Sequence, residues 1–327
     1  MYARLLTVCI ITLLIPSCKQ SNYYNKRKLY QRKVFLAGPV PDGRATIFIH
    51  GTKESIISKL VHKLDYPYGV VQASTINSSS VLSRIAHTLA VACPEEFALD
   101  TFYFYGWHGR LNFPSRVHAA ERLYNVIKNH KGHLTIMAHS HGCSVALYLA
   151  SLAEQDQNSS FKVDRLIMLA PPVQIATKHL IHAPIFKEVY TFYSTSDFLQ
   201  IGDPQGLYWE SYAYSPANTK VPFLSARTFD PAPNIMQTRV LLDRHSPGHL
   251  GIMLSRFIKH IPCLVQMIHD RALHGGYETC RNLYTINIPP CGLPPEFIHD
   301  RDLKGKYIPR SSYYKTKRAL QKCEAPA

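Results

Sequence analysis

The sequence predicts an α/β fold with a mostly parallel sheet, and two patterns carry that prediction. Short apolar runs rich in β-branched and aromatic residues recur along the chain, and stretches of about ten residues with helical spacing separate them. Strands that alternate with helices pair in parallel, because each helix returns the chain to the end of the sheet where the next strand begins. A hydrophobic share of 46% in 327 residues is enough to bury a core, which excludes a disordered chain.

The predicted elements follow one another from the first compact apolar run to residue 242. The predicted strands end at glycine, proline or a polar turn, and they are Arg44–His50, Phe102–Tyr105, Leu134–Ala138, Leu166–Leu169, Val189–Tyr193 and Val240–Leu242. The predicted helices show apolar residues three and four apart, and they are Ser55–Leu64, Val81–Val91, Arg116–Ile127 and Cys143–Leu152.

The positive charge is concentrated in two arms. The formal net charge is +15, and Lys19–Lys33 and Lys304–Lys322 hold six and seven basic residues without an acid, which leaves +2 for residues 34–303. A nearly neutral globular part argues against a nucleic-acid-binding core, which would carry a basic face within the fold. We expect a signal peptide over 1–17, a basic linker over 18–33, one α/β domain over 34–270, and an irregular, proline-containing basic extension over 271–327.

The first residues predict a targeting segment. Arg4 precedes the apolar run Leu5–Ile15, which suits a signal-peptide core and is short for a membrane span. Ile15-Pro16-Ser17-Cys18 resembles a bacterial lipobox, although proline is an unusual occupant. The resemblance implies lipidation at Cys18 and an exported, membrane-anchored envelope lipoprotein. A secreted protein or an inner-membrane anchor stays open, and the basic residues after the run favour the opposite orientation.

A strand that runs into Ser-x-Gly predicts the nucleophile. Leu134–Ala138 is followed by His139-Ser140-His141-Gly142 and then by a helix. A nucleophile elbow needs this order, because small residues two before and two after the serine allow a tight strand-to-helix turn. Ala138 stands where the first glycine is usual. The alternative is that Ser140 is an ordinary helix N-cap.

A second turn lies upstream, where the predicted strand Arg44–His50 ends in His50-Gly51-Thr52. With the elbow, this turn resembles the α/β-hydrolase superfamily, in its lipase and esterase branch. The resemblance implies an α/β-hydrolase fold in which the backbone N–H groups of Thr52 and His141 form the oxyanion hole.

The same resemblance implies that an acid and a base follow the serine in that order. Asp197 lies in the polar turn after Val189–Tyr193 and is the predicted acid, with Asp203 as the alternative. His249 lies in the loop after Val240–Leu242 and is the predicted base, with His245 as the alternative.

Together these residues predict a serine hydrolase that cleaves an acyl or lipid ester through an acyl-enzyme, with amide and thioester substrates left open. No cofactor is implied, and the histidines around Ser140 lack the acidic or cysteine partners at the spacing expected of a zinc site. The eight cysteines form no CxxC pair, and Cys280 and Cys291 are the favoured disulfide if the chain is exported. The alternative function is a non-catalytic envelope lipoprotein that uses a hydrolase fold as a binding module.

Overall fold

The computed structural model describes residues 39–52, 68–76, 80–157, 160–201, 225–274, 283–290 and 293–298. Several predicted features lie outside these residues. They are the signal segment with Cys18, both basic arms, the helix Ser55–Leu64, the alternative acid Asp203, and the cysteines Cys280 and Cys291.

Nine described strands form one sheet in the order β2-β3-β1-β4-β5-β6-β7-β8-β9. They are β1 (Ala45–Ile49), β2 (Gly69–Gln72), β3 (Phe102–Gly106), β4 (Leu134–His139), β5 (Val163–Leu169), β6 (Phe186–Tyr193), β7 (Ile235–Leu242), β8 (Leu283–Ile288) and β9 (Glu296–Phe297). Only β2 and β9, at the two edges, run antiparallel to their neighbours. The six predicted strands all form, and the sheet is mostly parallel as predicted.

Helices lie on both faces of this sheet. The described α-helices are α1 (Val81–Ala92), α2 (Phe113–Ile127), α3 (Gly142–Gln155), α4 (Phe198–Ile201), α5 (Ser255–Ile258) and α6 (Ile261–His274). Two start at side-chain caps, where Ser80 Oγ and Asn112 Oδ1 accept the N–H groups of Ser83 and Ser115.

Most strand residues are buried and apolar because both faces of the sheet are covered. Ile47 and Ile49 of β1 pack into a cluster with α2 and α3. Phe48, between them in sequence, points the other way into a cluster with α1 and α6. This arrangement confirms the predicted central sheet flanked by helices.

The C-terminal part needs a correction, because part of the extension predicted as irregular belongs to the sheet. Helix α6 runs through the boundary predicted at residue 270, and β8 pairs in parallel with β7. The strand was missed because it is a short apolar run that Pro289-Pro290 follow directly in the sequence. The polar side chain of Asn287 in β8 has hydrogen-bond partners for both of its groups. Its Oδ1 accepts the Arg244 N–H at 2.7 Å, and its Nδ2 donates to the Glu296 carboxylate at 2.8 Å.

Candidate active site

Ser140 lies at the sharp turn between β4 and α3. Its φ of +53° is in the left-handed region, which costs a non-glycine residue on the order of 1–3 kcal/mol. The turn is held from both sides, since the Ser140 N–H donates to the Leu169 carbonyl at 2.9 Å and the Ser140 carbonyl accepts the Cys143 N–H at 2.9 Å. A strained serine at a strand-to-helix turn is the geometry that the elbow motif predicts.

Two glycines allow the turn after β1 to pack against this elbow. A Cβ atom on Gly142 would lie 2.6 Å from the carbonyl oxygens of Ile49 and His50. A Cβ atom on Gly51 would lie 2.8 Å from Cβ of Ser140. The predicted His50-Gly51-Thr52 turn therefore lies in contact with the serine.

The two residues predicted to form the oxyanion hole are joined through their side chains. Thr52 Oγ1 and His141 Nδ1 lie 2.7 Å apart, although 89 positions separate them in sequence. This bond bridges the turn after β1 and the first turn of α3.

Trp107, directly after the neighbouring strand β3, fixes the β1 turn. The sequence placed Trp107-His108-Gly109 after a predicted strand, as a pocket lining or a packed turn, but did not reveal this contact. The Trp107 backbone N–H donates to His50 Nε2 at 3.1 Å, and its indole N–H donates to the His50 carbonyl at 2.8 Å. Since Nε2 accepts a hydrogen bond, the proton of His50 is on Nδ1, which donates to the Gly51 carbonyl at 2.6 Å.

Asp197 and His249 come together across the loops that follow β6 and β7. His249 Nδ1 lies 2.7 Å from Asp197 Oδ2, and the other carboxylate oxygen accepts the Gln200 N–H at 2.9 Å. Asp197 is fully buried. A carboxylate fixed in this way keeps the proton of His249 on Nδ1 and leaves Nε2 able to accept a hydrogen bond.

Two further contacts hold these loops together. Ser194 Oγ donates to the Pro247 carbonyl at 2.5 Å, and the hydroxyls of Thr195 and Ser246 lie 2.8 Å apart. The acid-bearing and base-bearing loops are therefore joined next to the Asp197–His249 contact.

The imidazole of His249 packs against His139, next to the elbow. The ring centroid of His139 lies 4.7 Å from that of His249, and His139 directly precedes Ser140 in the chain. Complete burial lowers the pKa of His139 well below its usual value, and His249 close by lowers it further. The His139 imidazole is therefore neutral.

The alternative base, His245, makes a different contact. Its Nδ1 is hydrogen-bonded to the backbone carbonyl of Asp243, two residues before it. Of the two histidines in this loop, the one in contact with Asp197 is His249.

Exposed apolar side chains follow Asp197 and His249 directly in the chain. Phe198 and Leu199 follow Asp197, Leu250 follows His249, and Leu254 ends the same turn, all about half exposed. Helix α4 contacts the 3₁₀ turn His249–Met253, so the two segments that follow Asp197 and contain His249 lie next to each other.

The described part of the chain shows neither a metal-binding cluster nor a membrane-spanning helix. Within it, no group of three or more His, Cys, Asp or Glu side chains is arranged to hold a metal ion. Among the helices of the same residues, none has both the length and the apolar character needed to span a bilayer.

Comparison with known proteins gives distant structural likenesses. No protein-family model and no curated protein matches the chain. A hormone-sensitive lipase from a metagenome library is 13% identical, covers 88% of this chain and 80% of its own, and has a TM-score of 0.30. An arylesterase is 13% identical, its match covers 72% of this chain and 78% of the arylesterase, and the TM-score is 0.34. An esterase from Mycobacterium marinum is 12% identical, its match covers 73% of this chain and 76% of the esterase, and the TM-score is 0.31.

The topology of the chain itself agrees with the sequence prediction. The serine follows β4, the aspartate follows β6 and the histidine follows β7, all at the carboxyl edge of the parallel strands. The fold is an α/β-hydrolase fold.

Proposed function

We propose that the protein is a serine hydrolase that cleaves carboxylic esters through an acyl-enzyme. The observation that carries the proposal is the Asp197–His249 hydrogen bond next to the strained turn that bears Ser140. A buried carboxylate that orients an imidazole beside a serine is the arrangement that activates a hydroxyl as nucleophile.

In the proposed reaction, Ser140 Oγ attacks the ester carbonyl and His249 Nε2 takes its proton. Asp197 holds the imidazole tautomer and stabilises the imidazolium that forms. The backbone N–H groups of Thr52 and His141 stabilise the oxyanion, a contribution worth about 10²–10³ in rate for one donor. His249 then protonates the departing alcohol, and water hydrolyses the acyl-enzyme by the same steps.

The surroundings favour an ester with an apolar acyl group. The exposed side chains of Phe198, Leu199, Leu250 and Leu254 lie beside the acid and the base, where an acyl chain would contact them. Apolar contact of this kind contributes about 0.8 kcal/mol for each methylene buried.

Hydrolysis of p-nitrophenyl esters of increasing chain length tests the proposal. Wild-type protein should hydrolyse them, and kcat/KM should rise from acetate to the medium chains. Ser140→Ala should lose turnover by several orders of magnitude. A folded wild type that hydrolyses none of these esters would favour the non-catalytic binding module instead.

We also propose that the protein is exported and anchored to a membrane through Cys18 and its basic arms. The support is the sequence alone: a short apolar run before Cys18, followed by a basic segment with no acid. One acyl chain binds a bilayer only marginally, so a basic second signal would strengthen the attachment.

A further inference from the structure

Arg227 binds the turn that carries the acid. Its Nε donates to the Ser194 carbonyl at 3.0 Å, and its Nη2 donates to the carbonyls of Thr195 and Asp197 at 3.0 and 3.1 Å. One guanidinium group thus takes up three of the four backbone carbonyls in residues 194–197, which we call the acid turn.

The backbone around Arg227 is itself fixed. Its neighbour Ala226 forms a two-way backbone bridge with Val173, at 3.0 and 3.1 Å, in the loop after β5. The Phe229 N–H donates to Oε1 of Gln237 in β7 at 2.7 Å, and Nε2 of Gln237 donates to the Phe229 carbonyl at 3.1 Å. The same segment is also bonded to α4, through the Ser225 N–H to the Ile201 carbonyl at 3.1 Å and the Gln200 side chain to the Arg227 carbonyl at 3.4 Å. The backbone that carries the guanidinium is therefore held by β7 and by the loop after β5 in addition to α4.

These contacts require arginine. The guanidinium is planar and holds five N–H donors in a fixed arrangement, so it can bind several carbonyl groups of one turn at once. A lysine ammonium carries the same charge on one atom and cannot reproduce that geometry.

We propose that Arg227 is a positioning residue that sets the acid turn so that Asp197 faces His249. The proposal rests on the proposed function and adds a residue to it that does not touch the substrate. The backbone of Asp197 is bound by Arg227, and its carboxylate is bound by His249 and Gln200. A substitution at Arg227 would therefore shift Asp197 and, through its hydrogen bond, the imidazole of His249.

The test compares Arg227→Lys with the wild type, and with Arg84→Lys, an exposed arginine on α1, as the matched control. A small misplacement of a catalytic group costs up to about 10²-fold, so we expect Arg227→Lys to lower kcat by roughly 10- to 100-fold with KM almost unchanged. Arg84→Lys should keep the wild-type values. Circular dichroism and urea unfolding establish that both variants are folded.

Two readouts separate positioning from general support of the fold. In the Asp197→Asn background, Arg227→Lys should have almost no further effect on kcat, because both changes act through the same contact. Adding guanidinium at low concentration to Arg227→Ala should restore part of kcat, whereas ammonium should not. The proposal would be overturned if the losses in kcat from Arg227→Lys and Asp197→Asn multiply in the double variant. It would also be overturned if Arg227→Lys alone leaves kcat unchanged.

A measurement that needs no turnover keeps this inference separate from the proposed function. The His249 Nδ1–H that donates to Asp197 should give a downfield proton resonance that His249→Ala lacks. We expect Arg227→Lys to shift or broaden this resonance and Arg84→Lys to leave it in place. An unchanged resonance in Arg227→Lys would refute the positioning role, even if wild-type protein hydrolyses esters.

Discussion

At the scale of single residues, the Asp197–His249 hydrogen bond decides which imidazole nitrogen carries the proton. Asp197→Asn replaces a pure acceptor by a group that can donate to Nδ1, which would move the proton to Nε2. We expect kcat for a short-chain ester to fall by about 10³- to 10⁴-fold with the fold intact. Asp230→Asn, at an exposed carboxylate paired with Lys178, is the control and should keep wild-type turnover. A loss of less than tenfold in Asp197→Asn would remove Asp197 from the proposed mechanism.

The buried imidazole of His139 predicts how stability depends on pH. Burial lowers its pKa in the folded state, whereas the unfolded chain binds a proton near the usual value of about 6.5. Below that pH the unfolded state holds the extra proton, so the free energy of unfolding falls as pH falls, by about 1.4 kcal/mol per unit from this residue. The effect is absent well above pH 6.5.

Urea unfolding at about pH 7.5 and at about pH 5.5 measures this dependence. His139→Gln should reduce the difference in unfolding free energy between the two conditions by about 1 kcal/mol. His87→Gln, at an exposed histidine on α1, is the matched control and should leave that difference as in the wild type. Equal pH dependence in His139→Gln and the wild type would mean that His139 is not held neutral.

At the scale of elements, the contact between the β1 turn and α3 depends on Gly142. An alanine there would bring Cβ to 2.6 Å from two carbonyl oxygens, so the backbone has to move. We expect Gly142→Ala to lower the free energy of unfolding by about 1–3 kcal/mol in urea, the usual range for overpacking. Gly248→Ala is the matched control, because a Cβ atom there meets nothing within 4 Å. Similar stabilities for the two variants would show that the β1 turn does not pack against α3 as described.

The site was predictable where its signals are local. The elbow around Ser140 and the His50-Gly51 turn each occupy a few consecutive residues, and their apolar strands precede them directly. Asp197 and His249 were predicted from the family resemblance, each in the loop after a predicted strand, and the structure places their side chains 2.7 Å apart. Arg227 and Trp107 could not be found in this way, because their partners are distant in sequence and are defined only by the packing of loops.

Strand β8 illustrates the same limit for the fold. Its six residues are apolar enough to form a strand, but only pairing with β7 distinguishes them from an irregular segment. The edge strand β2 is shorter still, and its pairing with β3 is antiparallel. Strand pairing is a long-range property, so short strands at the edges of a sheet are the least visible in a sequence.

At the scale of the whole molecule, the basic arms predict binding to an anionic surface. Each lysine or arginine near such a surface contributes about 1 kcal/mol, and salt screens the attraction. Protein lacking residues 1–17 and carrying Cys18→Ser should bind anionic vesicles at low salt and dissociate as salt rises. Deleting residues 304–327 should weaken that binding and leave ester turnover unchanged. Equal vesicle binding by the two forms would remove the C-terminal arm from the proposal.

The most direct test of the central claim is covalent labelling of Ser140 with a fluorophosphonate probe, read by intact mass and peptide mapping. An activated serine in a working triad reacts with such a probe, whereas an ordinary surface serine does not. We predict one probe adduct per chain on Ser140, none in Ser140→Ala, and strongly slowed labelling in His249→Ala. Folded wild-type protein that stays unlabelled, or that is labelled at another residue, would contradict the account.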